Sequence, residues 1–337
     1  MDNLTHSLVG AVLGQMGLKR RTGLAMPALV IGANLPDIDG VSMLLGMNTL
    51  TARRGLTHGP IAMLVLPLLL TGALLLWARW RPNPERLPVH RGWLLALAYI
   101  GTLTHPAMDW LNSYGIRLLS PFSNEWFAGD TLFIIDVWVW AALIAGWWIS
   151  RRRERAGRPN WQRPAIVSFT AVCAYIFANG LITGHAEAIT PHELWGRKID
   201  GSSIEFTFLP VDRPCERTRT CPRPVPLIHL DLVVANPVPF AFWKREVLWR
   251  GSGVYGVGQY SLTGDMESMS RILPNRMDDP RVALAAKRDP AARAFLFWSR
   301  MPLARIDGGD LVLSDQRFSS SLTRGNFQVR VPLNTLK

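Results

Sequence analysis

The stretch PIAMLVLPLLLTGALLLWA, Pro60 to Ala78, decides the fold. It carries no charge over nineteen residues, and a helix rising about 1.5 Å per residue needs about 20 apolar residues to cross a bilayer's hydrocarbon core. Three further runs approach that length: Gly92 to Met108, Thr131 to Ser150 with a single acid at Asp136, and Pro164 to Gly184. Two shorter runs, Leu4 to Leu18 and Gly23 to Leu35, precede them and suit tilted or sheltered segments. The pattern predicts an all-α polytopic membrane bundle of about five to six membrane segments, followed by a mostly β soluble C-terminal domain.

The boundary falls where the composition changes. From Gly184 onward charges of both signs are interspersed and no apolar run is long enough to span. Residues 1–183 are therefore expected to form the membrane domain and 184–337 the soluble one. Ser203 to Pro210, Leu227 to Ala235, Gly253 to Leu262, Leu311 to Leu313 and Phe327 to Val331 have the β-branched or alternating character of strands. Asp289 to Ser299 reads as a helix, and the Pro- and Arg-rich tract Pro210 to Pro226 as an exposed loop.

A net charge of +12 would ordinarily raise nucleic-acid binding. Here the cations follow the connections between apolar runs instead. Of sixteen Lys and Arg in residues 1–183, thirteen lie in three connections: Lys19 to Arg21, Arg79 to Arg91, and Arg151 to Arg163. The alternate connections hold only Arg53, Arg54 and Arg117. The positive-inside rule puts the thirteen in the cytoplasm and the C-terminal domain outside, in the periplasm of a bacterium. Nucleic acid is not an expected partner; membrane lipid is. The N-terminal run lacks a basic leader and does not read as a cleavable signal. Cys173 lies within an apolar run, whereas Cys215 and Cys221, six apart in a polar loop, are expected to pair as a disulfide in an oxidising compartment. The Trp residues near span ends, such as Trp77, Trp80, Trp93, Trp110, Trp147 and Trp148, fit interfacial belts.

Ionisable side chains in or beside spans are costly and are functional candidates by default. This chain has His6 in DNLTHSL, Asp37 and Asp39 in LPDID, His58 in RRGLTHG, His105 and Asp109 in THPAMDWLNSYG, and Asp130 and Asp136 in GDTLFIID. The topology, derived from Lys and Arg alone, brings all eight to the outer end of the bundle. His105 and Asp109 are one helical turn apart and share a face. Asp37 and Asp39, between Pro36 and Gly40, belong to a turn that caps a span. Imidazole with carboxylate suits a divalent ion, zinc first and manganese or iron as alternatives, and more than four ligands admit one ion or two. Asp130 reads equally as a helix N-cap or as part of the site, and Asp136 as too deep in its run for a cap. His90, His185, His192 and His229 read as structural or surface residues.

The ordered set DNLTHSLVG, LPDID, RGLTHG and THPAMDWLNSYGIRLLSPFS with FIID, over about residues 1–140, resembles the YdjM-type membrane-bound metal-dependent hydrolases of the bacterial inner membrane. That resemblance implies metal binding by His6, Asp37, Asp39, His58, His105 and Asp109. Three positions depart from the pattern: Arg53 stands where the family commonly has His, Gly59 where it has Ser, and Val137 where many members have Pro.

The expected function is hydrolysis by metal-activated water at the outer membrane face, on a lipid or lipid-linked phosphoester. Asp136, or one of the Asp37/Asp39 pair, is the candidate general base, and Arg54 the candidate anchor for an anionic group. The rival readings are a metal or proton transporter and a non-catalytic, metal-stabilised membrane scaffold whose outer domain binds a partner. A transporter would spread polar residues through the bundle's depth.

Overall fold

The computed structural model describes residues 1–43, 53–194, 198–199, 202–203, 205–207, 227–263, 266–269, 272–319, 325 and 327–336. The chain divides into two compact units, Met1–Gly180 and Leu181–Lys337. The paired cysteines expected at 215 and 221, the loop 210–226 and the side chain of His192 lie outside the described residues. Cys173 is an exposed free thiol.

The first unit is helical: α1 (Asn3–Gln15), α2 (Ala25–Asn34), α3 (Pro60–Trp80), α4 (Arg91–Trp110), α5 (Val137–Arg155) and α6 (Arg163–Leu194), the last of which continues into the second unit. Two 3-10 segments, Leu35–Met43 after α2 and Leu56–His58 before α3, carry the sequence motifs. Asp2 caps α1 by accepting from the amides of Leu4 and Thr5. α2 packs between α1 and α4, and α3 lies against α4. The buried core is aliphatic, with Val9, Val12, Leu29, Leu94, Leu97, Val139, Leu143 and Ala165 among its members.

The outer surface of this bundle is apolar as well. Leu64, Leu68 and Leu69 on α3 and Val167 and Phe177 on α6 are all more than half exposed, a distribution suited to a hydrocarbon solvent rather than to water. Among the described residues two helices are long and apolar enough to cross a membrane, α3 over Pro60–Trp80 and α6 over Arg163–Pro191. That is fewer than the expected five to six. α1 and α2 have only 13 and 10 residues, and the last turn of α5 carries Arg152, Arg153 and Arg155.

Close helix contact rests on glycine. A Cβ on Gly10 of α1 would lie 2.7 Å from the Leu29 carbonyl oxygen of α2, and one on Gly101 of α4 would lie 2.7 Å from the same oxygen. Backbone blocks both positions, so relief requires moving a helix. Gly101→Leu is expected to destabilise the protein by at least the 1–3 kcal/mol or so typical of overpacking. Gly72→Ala, where no atom lies within 4 Å, should leave the thermal midpoint unchanged. Thermal unfolding of the detergent-solubilised variants checks both.

The second unit is mostly β. Short ladders join Lys198–Ile199 to Ser202–Ser203 and, in parallel, Glu205–Thr207 to Leu227–His229. An antiparallel sheet follows, built from β1 (Leu232–Val238), β2 (Ala241–Gly251), β3 (Val254–Ser261) and β4 (Met266–Met269), with β5 (Leu273–Pro274) also on β3. Two helices, α7 (Pro280–Arg288) and α8 (Pro290–Trp298), lead to an antiparallel three-stranded sheet of β6 (Pro302–Asp307), β7 (Asp310–Asp315) and β8 (Gln328–Pro332). The segment of α6 from Ile182 to Ile189 packs on Ala235, Val247 and Tyr260 of the first sheet.

Candidate metal centre

The elements of the first unit bring the candidate residues to one end of the bundle. His6 lies in the first turn of α1, Asp37 and Asp39 in the 3-10 segment after α2, His58 in the 3-10 segment before α3, and His105 and Asp109 in the last turns of α4. At the opposite end Lys19 pairs with Glu154, which also pairs with Arg151. Ligand-type residues and the basic connections thus separate to the two ends.

Asp109 is the hub, and its side chain is 1% exposed. His6 Nε2 lies 3.4 Å from its Oδ1, while His58 Nε2 and His105 Nε2 lie 3.7 Å and 3.6 Å from its Oδ2. His105 Nε2 is also 3.6 Å from Asp37 Oδ1. The α-amino group of Met1 donates to Asp109 Oδ1. The His6 and His105 rings stack at 3.8 Å, and the His58 ring is tilted 4.9 Å from that of His105. Asp37, His58, His105 and Asp109 each offer a ligand atom within 4.8 Å of one another, which is the spacing a shared ion requires.

Hydrogen bonds set the imidazole tautomers. His105 Nδ1 lies 2.7 Å from the Ala33 carbonyl oxygen; a carbonyl only accepts, so Nδ1 carries the proton and Nε2 the lone pair. Thr57 Oγ1 occupies His58 Nδ1 at 2.9 Å and donates to Asp39 Oδ2 at 3.0 Å. Asp39 Oδ2 is itself 3.5 Å from His58 Nδ1. Carboxylate or carbonyl on one ring nitrogen, with the other directed inward, is the arrangement that orients histidine ligands. The Nε2 atoms of His6, His58 and His105 are buried and have no hydrogen-bond partner among the described residues. Burial lowers the His58 imidazole to about 3, so its ring is neutral and its lone pair available. Burial likewise pushes the Asp39 carboxyl up, against the amide of Arg54 and the Thr57 hydroxyl, which hold it down.

Arg54 closes the centre. Its Nη2 donates to Asp109 Oδ1 at 3.2 Å and its Nη1 to Asn112 Oδ1 at 3.0 Å, while its Nε lies 2.9 Å from Asp109 Oδ2 as an ion pair. Its guanidinium lies 4.7 Å from the Tyr114 ring. The backbone of Arg54 has φ of +55°, unusual for a residue with a side chain, and its amide donates to Asp39 Oδ2 at 2.7 Å. Strain held in place this way concentrates at functional sites. The guanidinium is therefore buried against a ligand-type carboxylate and does not face outward to an anionic group as the sequence reading expected. The fork it makes on Asp109 satisfies its donors more fully than water at the rim would.

The two later aspartates divide otherwise than expected. Asp136 is the N-cap of α5, accepting from the amides of Trp138 and Val139, and Tyr175 donates to it at 3.1 Å. Asp130 is buried in the preceding loop at a φ of +47° and caps no helix. The cause is the helix start. The apolar residues Leu132 to Ile135 belong to the loop, where Leu132 pairs with Asn112, so α5 begins at Val137. Sequence reasoning also passed over Thr57, the Ala33 carbonyl and Asn112. Only Thr57 had a signal, in its place beside His58 in RGLTHG.

The other histidines lie elsewhere: His90 precedes α4 at the basic end, its amide bonded to Thr22; His185 Nδ1 meets the Tyr260 hydroxyl in the second unit; His229 is exposed there. No curated protein and no solved structure matches the chain. The motifs whose side chains converge on Asp109 all fall within residues 1–186, which match the model of the YdjM inner membrane proteins, and the chain belongs to that family.

Proposed function

We propose that this chain is a membrane-bound, metal-dependent hydrolase whose centre holds a divalent ion, zinc by preference, through His58, His105, Asp37 and Asp109, with His6 beside them. The observation that carries this reading is the set of three buried imidazole nitrogens without hydrogen-bond partners around one buried carboxylate. Buried polar atoms are normally satisfied, and a cation shared by His58, His105, Asp37 and Asp109 would satisfy two of the three, with His6 beside it. Such an ion supplies Lewis acidity and makes water nucleophilic at neutral pH. Arg54, itself held by Asn112, holds Asp109, the Ala33 carbonyl holds His105, and Thr57 with Asp39 holds His58. Asp37, only partly buried, borders a surface groove with Asn3, Ile31, Asn34 and Ile38. A carboxylate has two oxygens, so Asp37 can ligate through one and take a proton through the other. Asp136, committed to capping α5, is set aside as the base. The apolar groove side chains favour a lipid or lipid-linked phosphoester as substrate.

The same reading takes α4 and α5 as further crossings, so that the centre faces the outer side of the inner membrane and the C-terminal domain lies in the periplasm. The thirteen-to-three distribution of cations supports it. Alkaline phosphatase fused after Lys337 is then expected to be active, and a fluorescent protein that matures only in the cytoplasm to stay dark. The reverse pair of results overturns the orientation.

Elemental analysis and hydrolysis of a lipid phosphoester by detergent-purified protein test the function. Bound metal and turnover in the parent chain, both lost in His58→Ala, are expected. Bound metal without turnover on any phosphoester or carboxyl ester would favour the scaffold, a reading to which the buried Arg54–Asp109 fork lends support.

A further inference from the structure

The second unit presents an aromatic edge that the metal centre does not use. Val238 pairs with Ala241, so Pro239 and Phe240 form a two-residue turn between β1 and β2. Phe240 has a φ of +65°. That backbone suits Gly or Asn at the second position of a turn led by Pro, and a bulky side chain there is strained. The turn at the far end of β2 makes the ordinary choice, with Ser252 and Gly253 at φ of +49° and +79°. The first turn instead holds out Phe240, 68% exposed, with Phe242, Trp243 and Leu262 exposed beside it. The Phe242 and Trp243 rings pack edge to face at 5.1 Å.

The position of this edge along α6 is fixed. The Ala235 amide donates to Glu187 Oε1 at 3.1 Å, and the fully buried Arg245, which faces Pro237 across the ladder, donates through Nε to Thr183 Oγ1 at 2.9 Å. Arg245 Nη1 also donates to the carbonyls of Phe242 and Lys244, which ties the turn to its own strand. Going from Ala235 to Pro237 therefore follows α6 backward from Glu187 to Thr183. The turn lies further in the same direction, toward the Leu181 end of the α6 segment in this unit, and α6 is long and apolar enough to cross a membrane.

We propose that the Pro239–Phe240 turn, with Phe242, Trp243 and Leu262, inserts into the outer interface of the membrane that α6 crosses. Aromatic rings are favoured at the headgroup level, where an apolar body and a polar edge are both accommodated. A rigid β turn stapled by Arg245 to the end of a span brings them there without a further ordering cost. The insertion stands independently of any hydrolytic activity.

The test uses the full chain in liposomes doped with a phospholipid bearing a diazirine on its acyl chain, followed by photolysis and mass mapping of adducts. Adducts are expected on the peptide holding Phe240 to Trp243 and absent from that holding Ser252 and Gly253 at the far turn. In the double variant Phe240→Ser, Trp243→Ser the adducts on this peptide should be lost, while those on α3 and the thermal midpoint are kept. The same mapping on Phe240→Gly, which relieves the strained backbone, guards against a failure to fold; its adducts at Trp243 should persist. No adducts at either turn in the folded parent chain overturns the proposal. So do equal adducts at both turns.

Discussion

Replacing His105 by alanine is expected to empty the metal centre while leaving most of the bundle's stability in place. The side chain makes one hydrogen bond to protein, from Nδ1 to the Ala33 carbonyl, and a bond of that kind contributes about 0.5–1.5 kcal/mol net. Loss of a direct ligand exceeds the 10–100-fold or so in affinity that even outer-sphere changes cost. Asp109→Ala should empty the centre too, and it should also unfold far more easily, because the buried Arg54 cation then has no carboxylate. The two variants therefore share a metal content and differ in thermal midpoint. Full metal occupancy in His105→Ala would remove that residue from the ligand set. Equal midpoints in both variants would show that Arg54 does not depend on Asp109.

The second large effect is at Arg54. Its guanidinium is 7% exposed and Asp109 1%, and removing one partner of such a pair costs about 3–5 kcal/mol where the other charge is left buried; of the cations on Asp109, the Met1 α-amino group stays. Arg54→Ala is expected to lose that much, and Arg54→Lys to recover little of it, since a single ammonium cannot make the fork on both Asp109 oxygens. A bound divalent ion also compensates Asp109, so the loss should be larger after chelation than with metal present. Denaturant or thermal unfolding of Arg54→Ala, with and without a chelator, measures the difference. An identical loss in both conditions would separate Arg54 from the ion.

The metal cluster was legible because its signal is chemical rather than conformational. A carboxylate or imidazole beside a long apolar run is costly enough to need a reason, and residues as far apart in sequence as His6 and Asp109 meet in the structure. Arg54 was legible as a member of the site but not in its role. Whether a guanidinium turns toward solvent or toward Asp109 depends on the loop holding Asn112 and Gly115, whose course leaves no periodic trace. The division between Asp130 and Asp136 has the same origin, since Leu132 to Ile135 are apolar enough to extend a helix and are claimed by a loop. In the second unit, β3 and β7 showed as alternating stretches. β2 did not: AFWKREVLWRG is exposed at its first residues and almost wholly buried at its last, so no single alternation runs along it. Helices α3 and α6, long and apolar enough to cross a membrane, followed directly from length and composition, whereas the shorter α1 and α2 depend on neighbours that a single sequence does not display.

One peptide unit of α2 governs how the centre accommodates an ion. The Leu29 carbonyl is gripped from both sides by Gly10 and Gly101. Each glycine lies one helical turn from a histidine of the site, His6 on α1 and His105 on α4, and Ala33, one turn along α2, accepts the proton of His105. The gap between those imidazoles is thus gauged by main chain against main chain, with no flexible side chain as a shim. A gauge of that kind has little give, so if the centre holds an ion as proposed, one that fits a tetrahedral nitrogen and oxygen shell would be favoured over larger, oxygen-seeking ones that need their ligands to spread. Selectivity would then respond to a methyl group on Gly10 or Gly101, two positions that never meet the ion.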